Sequence, residues 1–209
     1  MVEAQKWRLA RVLVRQGRGF AFQGSGFILV RAQRSFIMTN RHIVEQARTR
    51  LGSTVEIWAS PAFAPKRAHP AEILTADEVA DLAILGLGKG VEIEGQARER
   101  VGVGKVGGEV FVMGYDDQHM DVPVLSRGTI VRVGPFVARD SLFVISGSGS
   151  TATALLIEGA SCPQGRSGSP VFDLVGRIVA YVKGHDDKGR CFAISIDEAL
   201  RRLQRVVAP

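Results

Sequence analysis

Three short stretches of this 209-residue chain hold residues whose types and settings suit nucleophilic chemistry. In Gly165-Arg166-Ser167-Gly168-Ser169-Pro170 a serine stands between glycines. Such a tight turn presents the hydroxyl clear of side chains while backbone N–H groups point inward, where they can bind an oxyanion. In Phe36-Ile37-Met38-Thr39-Asn40-Arg41-His42-Ile43-Val44 a histidine ends an apolar strand and opens a helical turn, which leaves its ring free to serve as a general base. In Val79-Ala80-Asp81-Leu82-Ala83-Ile84-Leu85 one carboxylate heads an apolar strand. If buried it needs a partner, and an imidazole N–H is one. Each stretch also has a plainer reading, as a glycine-rich turn, a structural or surface histidine, and an aspartate capping a turn. The strand, turn and strand legible over residues 171–182 favour the chemical reading of the serine, since a nucleophile loop leads into a barrel core by that path.

The elements that must hold these residues read as short strands. Periodicity places strands over residues 9–15, 26–31, 36–39, 55–59 and 80–87 in the first half, with a brief helical turn over 43–47. In the second half it places them over 109–114, 125–133, 142–146, 154–157, 169–172, 177–182 and 192–196. The stretch 88–108, rich in Gly, Glu and Lys, is the natural connector, so the chain divides into halves at residues 1–100 and 101–209. Gly147-Ser148-Gly149-Ser150 is a flexible loop. From Ile196 to Leu203 apolar residues recur at helical spacing, with acids in the first turn and bases in the last, which predicts a C-terminal helix.

Composition agrees with a folded β protein. At 45% hydrophobic residues the chain can bury a core, and 24 glycines suit a fold with many tight turns. The net charge of +6 could attract nucleic acid or an anionic membrane. Its bases are interleaved with acids and lack an aromatic stacking pattern, so a solvated face is the reading and no specific nucleic acid is expected. No apolar run reaches the length of a membrane span, and the first eight residues carry no export signal. With two cysteines in all, a reducing, cytoplasmic setting is expected. The scattered histidines and isolated cysteines predict neither metal nor cofactor.

Taken together these residues resemble the trypsin-like peptidases, and among them the HtrA/Deg-like group. The resemblance runs from Gly24-Ser25-Gly26-Phe27 through Thr39-Asn40-Arg41-His42-Ile43-Val44 and Asp81-Leu82-Ala83-Ile84-Leu85. It continues through Val101-Gly102-Val103-Gly104, Val110-Phe111-Val112-Met113-Gly114 and the Ser167 loop to Phe192-Ala193-Ile194. It implies an all-β fold of two packed six-stranded antiparallel barrels with a short C-terminal helix. It also implies a serine endopeptidase acting on proteins or peptides, with Ser167 as nucleophile, His42 as base and Asp81 as orienting carboxylate. The backbone N–H groups of Gly165 and Ser167 would form the oxyanion hole. By the same resemblance Ser161, six residues before the nucleophile, lies at the base of the substrate pocket beside Cys162, with walls at Tyr181, Val182, Lys183 and Cys191. Those walls predict small or medium aliphatic residues at P1. Cys162 and Cys191 are expected as buried small residues rather than as a disulfide.

The pattern departs from the family at three places. Arg166 stands where digestive-type members carry an aspartate that pairs with a freshly cut N-terminus, so activation by that ion pair is not expected and the loop must be held by other contacts, an acid reached by Arg166 being one candidate. Ser169 replaces a glycine. Little sequence follows the final helix, which leaves no room for the PDZ domain that HtrA-like proteases often append. A catalytically silent binding module on the same fold, and the protease domain of a larger regulatory protein, remain as alternatives.

Overall fold

Strands buried on both faces carry unbroken apolar runs, and that kind of strand dominates this chain. The structure, a computed structural model, describes residues 8–16, 18–32, 34–51, 57–61, 68–87, 100–139, 142–144 and 152–207. Strands β1 (Leu9–Gln16), β2 (Gly19–Arg31), β3 (Arg34–Asn40), β4 (Ile57–Pro61), β5 (His69–Asp77) and β6 (Leu82–Leu87) close into an antiparallel barrel in the order β1-β2-β3-β6-β5-β4. Helix α1 (Arg41–Leu51) leaves the end of β3.

A second antiparallel sheet contains β7 (Glu109–Asp116), β8 (His119–Arg139), β9 (Leu142–Val144), β10 (Ala152–Glu158), β11 (Pro170–Asp173), β12 (Ile178–His185) and β13 (Cys191–Ser195). Its order is β10-β13-β12-β11-β7-β8-β9, and β10 also pairs with β8, so the sheet curls back on itself. Helix α2 (Ile196–Val207) continues directly from β13. This is the trypsin-like pair of barrels with a terminal helix, except that β9 adds a seventh strand to the second sheet.

The two-residue period of a strand explains why the apolar runs are unbroken. On β3, Phe36 and Met38 face the layer between the two sheets, while Ile37 faces the interior of the first barrel. On β13, Phe192 and Ile194 enter the same intervening layer, while Ala193 fills the second sheet's interior. Tyr181 of β12 belongs to the intervening layer and donates its hydroxyl to the Ala80 carbonyl at 2.9 Å. From the far end of the chain, α2 reaches the first barrel. Its fully buried Glu198 pairs with Arg201 and Arg202, and Arg202 Nε lies 3.0 Å from Asp77 Oδ2.

Register does the positioning. Asn40 on β3 lies opposite Leu82 on β6, so the residues just beyond those strand ends come side by side. His42 and Asp81 are brought together in this way.

Several expected elements are extended. The helical turn at 43–47 is an 11-residue helix, and β2 begins seven residues before the expected strand at 26. Strand β5 was not expected at all. Parts of the expected strands at 55–59 and 142–146, of the connector at 88–108, and the whole loop at 147–150 lie outside the described residues.

The cysteines require a correction. Cys162 and Cys191 are not separate buried residues but a disulfide, with their Cα atoms 5.5 Å apart. Pairing of β13 with β10 and β12 places Cys191 beside the segment that leaves β10, a proximity that a sequence separation of 29 does not reveal. Closing a loop of this length stabilises a fold by about 3–4 kcal/mol. Replacing both residues, Cys162→Ala with Cys191→Ala, should lower the unfolding free energy by about that amount in a urea titration, whereas a change below about 1 kcal/mol would mean that the bridge does not form in solution.

Candidate active site

Asp81 sits in the turn before β6 with a left-handed backbone, φ +46°, a conformation that aspartate tolerates better than most residues. Nearly every polar atom it has is engaged. Its carbonyl oxygen accepts from the Arg41 N–H and from Asn40 Nδ2, both at 3.0 Å. Oδ1 accepts the His42 backbone N–H at 3.0 Å, and Oδ2 accepts from His42 Nδ1 at 2.7 Å. Lys183 Nζ lies 3.1 Å from that same Oδ2. Burial pushes the Asp81 carboxyl up, but the hydrogen bond and charge of His42, with the charge of Lys183, outweigh it and hold the group below the usual carboxylate range. The imidazole is thus fixed through Nδ1 by a buried anion, which leaves Nε2 as the ring's outward-facing nitrogen.

Ser167 is held from the other barrel. Gly165 and Gly168, on either side, adopt φ +89° and +83°, which only glycine takes without strain. A Cβ on Gly168 would run into the Ser25 carbonyl oxygen. Ser25 of β2 donates its N–H to the Ser167 carbonyl at 3.0 Å. The carbonyl of Gln164 accepts from the Asp117 N–H at 3.3 Å, so the Gly165 N–H on that trans peptide faces the opposite way. Neither the Gly165 nor the Ser167 N–H has a hydrogen-bond partner among the described residues. Ser169 is accommodated because residue 114, against it, is glycine.

His42, Ser167 and Gly165 line one open cleft of about 450 Å³, completed by Phe22, Gln23, Ile43, Gln46, Asp117 and Gln164. The Ser167 hydroxyl is donated to the Lys183 carbonyl at 3.1 Å rather than to the imidazole.

None of the residues expected to form the substrate pocket lines this cleft. Tyr181 is fully buried beneath Asp81, and the Lys183 side chain turns to Asp81. Cys162 and Cys191 are buried in their disulfide, and Ser161 is exposed, its carbonyl accepting from Ser126 Oγ. The cleft residues that the sequence reading missed carry no signature of their own: Gln23, Gln46 and Asp117 are ordinary surface residues until the fold converges on them.

Residues 24–180, which include His42, Asp81 and Ser167, match the family model of the trypsin-like peptidase domain. The chain belongs to the trypsin-like peptidase family. Solved structures share the fold of this chain. An HtrA-type protease, AlgW, determined with a decapeptide, superposes with a TM-score of 0.72 at 18% identity over 99% of this chain and 66% of its own. The serine endoprotease of Yersinia pestis gives 0.70 at 18% identity, over 99% and 65%. The active form of the Rv3671c protease of M. tuberculosis gives 0.74 at 19%, over 100% and 84%. The chain thus spans slightly under two thirds of the first two. No curated protein matches it in sequence.

The acid that Arg166 needs is Asp116. Arg166 is 1% exposed, and its Nε lies 3.5 Å from Asp116 Oδ2, an ion-pair contact rather than a hydrogen bond. Asp116 Oδ1 in turn accepts from the His119 N–H and Nδ1 at 2.9 and 2.8 Å. Burial raises the Asp116 carboxyl, but His119 and the Arg166 charge hold it below the ordinary value. A lowered carboxylate contributes stability that is complete above its unfolded value, about 3.9, and is lost as pH falls through the folded one. Asp116→Asn should therefore cost the fold about 3 kcal/mol at pH 7 by leaving Arg166 buried without its counter-charge. That deficit should fade as pH falls from about 3.9 through the lowered folded value and the parent protonates. Denaturant titrations at the two pH values measure it; a deficit independent of pH would mean that Arg166 is compensated by another group.

Proposed function

We propose that this domain is an endopeptidase that cleaves peptide bonds through an acyl-enzyme on Ser167. The observation that carries the reading is a buried Asp81 bonded at 2.7 Å to His42, whose ring opens on the cleft that Ser167 shares. Charge and orientation then divide among the residues in the usual way for such a triad. Asp81 holds the imidazole in the tautomer with the proton on Nδ1, so Nε2 is the base. Ser167 Oγ transfers its proton to Nε2 as it bonds to the scissile carbonyl carbon. The carbonyl oxygen becomes an oxyanion and takes the free N–H groups of Gly165 and Ser167. The imidazolium returns the proton to the leaving amine, and the C–N bond breaks. Water then repeats the sequence on the ester, releasing the acid and restoring Ser167.

Substrates are read as proteins or peptides, in keeping with the decapeptide in AlgW. The resemblance gives small or medium aliphatic P1 residues, but none of the residues that expectation rests on lines the cleft, where the acidic side chain is Asp117.

A fluorophosphonate probe should label the parent at Ser167 and leave Ser167→Ala unlabelled and without casein hydrolysis. Equal hydrolysis by the alanine variant would end the peptidase reading, and an unlabelled parent would favour a silent binding module. Asp81→Asn should keep the fold but lower kcat near neutral pH by about 10⁴-fold, since the wrong tautomer is then favoured. A loss under about tenfold would assign the orienting role elsewhere. Cleavage-site profiling in a mixed peptide library checks P1, where dominant Lys or Arg would refute the pocket while leaving the triad standing.

A further inference from the structure

Lys183 touches both ends of the constellation. Its carbonyl oxygen accepts the Ser167 hydroxyl at 3.1 Å, and its ammonium lies 3.1 Å from Asp81 Oδ2, the oxygen that also accepts from His42 Nδ1. The side chains of Lys183 and Asp81 are 13% and 6% exposed. A triad requires no such cation. Nucleophile, base, carboxylate and oxyanion donors complete the chemistry without it, so a lysine largely withdrawn from water at this point calls for a role.

Its surroundings narrow that role. On α1, Arg41 is tied to Glu45 at 2.6 Å and to Glu78 at 3.5 Å. On β5, Asp77 is tied to Arg202 of α2, whose Glu198 is paired with Arg201 and Arg202. On β12, Tyr181 donates its hydroxyl to Ala80, and His185 is exposed farther along the strand. Across the cleft Asp117 is exposed. The flanking cations on α1 and α2 thus have carboxylates of their own, and Lys183 shares with His42 the carboxylate that must also support the imidazolium. Two like charges sharing one counter-ion each weaken the other's hold on it.

We propose that Lys183 is a positioning residue that acts through Asp81, taking part of that carboxylate's charge so that the imidazole stays in its basic form, and the site active, in more acidic solution than an unaccompanied Asp81–His42 pair would allow. The inference rests on the reading of His42 as proton carrier. Its substrate-side counterpart is the donated Ser167 hydroxyl, which the Lys183 backbone parks until substrate enters.

The test reads pH dependence in two ways. In Lys183→Met, with Lys183→Gln as a second neutral variant should methionine fold poorly, the acid limb of kcat/KM moves to higher pH by about one unit. Lys183→Arg keeps the limb near the parent's, because the guanidinium restores the charge. In parallel the His42 imidazole is titrated by NMR in Ser167→Ala and in Ser167→Ala with Lys183→Met, where the midpoint moves up by the same amount. A lysine that merely fastened β12 would lower the melting temperature or raise KM and move neither reading. An unmoved midpoint in folded variants overturns the proposal whether or not the chain cleaves peptides. A moved midpoint with no hydrolysis by any protein, the parent included, upholds the shared charge and overturns the peptidase reading instead.

Discussion

The seam between the two barrels is closed at one backbone contact, the Ser25 N–H on the Ser167 carbonyl. Around it the backbone groups and the Ser25 and Thr39 hydroxyls are paired, while the buried Ser169 hydroxyl has no hydrogen-bond partner among the described residues. Ser25 Oγ accepts the Tyr115 N–H at 2.9 Å and can donate to the Gly165 or the Tyr115 carbonyl, each at 3.1 Å. Thr39 Oγ1 donates to the Ser25 carbonyl at 2.8 Å. Gly168 and Ser169 exchange backbone bonds with Val182 on β12 at 2.8 Å. Such a network, fully buried, is costly to break, because every partner left behind would be a dehydrated donor or acceptor. It tolerates no side chain at Gly168, whose missing Cβ is what lets the loop lie on β2. With β3 leading into His42 at the start of α1 on one side, and β12 carrying Lys183 on the other, the relative placement of Ser167 and His42 follows from this contact.

Two buried aspartates flank the seam and share one arrangement. Asp81 has His42 and Lys183, and Asp116 has His119 and Arg166. In both, a carboxylate withdrawn from water is kept ionised by an imidazole on one side and a permanent cation on the other. Buried ion pairs of this kind contribute little net stability compared with apolar packing, and their value lies in what they orient. Asp81 orients a ring that faces the cleft, while Asp116 fixes the residue next to Ser167. The adjacent Asp117 fixes the Gln164–Gly165 peptide through its backbone.

What the sequence disclosed and what it withheld follow a physical division. His42, Asp81 and the Ser167 loop were legible because their chemistry depends on local setting, a strand end, a strand start and a glycine-flanked turn. The intervening layer was legible in part, since runs such as Cys191-Phe192-Ala193-Ile194 are apolar at every position only when both faces are buried. Strand β5 was not, because His69, Pro70 and Glu72 suit a half-exposed strand that its neighbours hold in place rather than one its own composition would announce. Lys183, Asp116 and the disulfide were invisible for a different reason. Their partners lie across strand pairings or across the seam, and the rule that assigned Lys183 and Tyr181 to a pocket wall placed the strand but not the direction in which those side chains point.

Arg166 beside Asp116 also ties the Ser167 loop to one strand end. A loop whose buried charge is balanced by an acid of the same chain draws that partner from the fold itself. Asp116 meets Arg166, and the Asp117 N–H meets the Gln164 carbonyl, so two of the three residues before Ser167 are fastened to the end of β7. Any displacement of that strand end is carried straight into the loop.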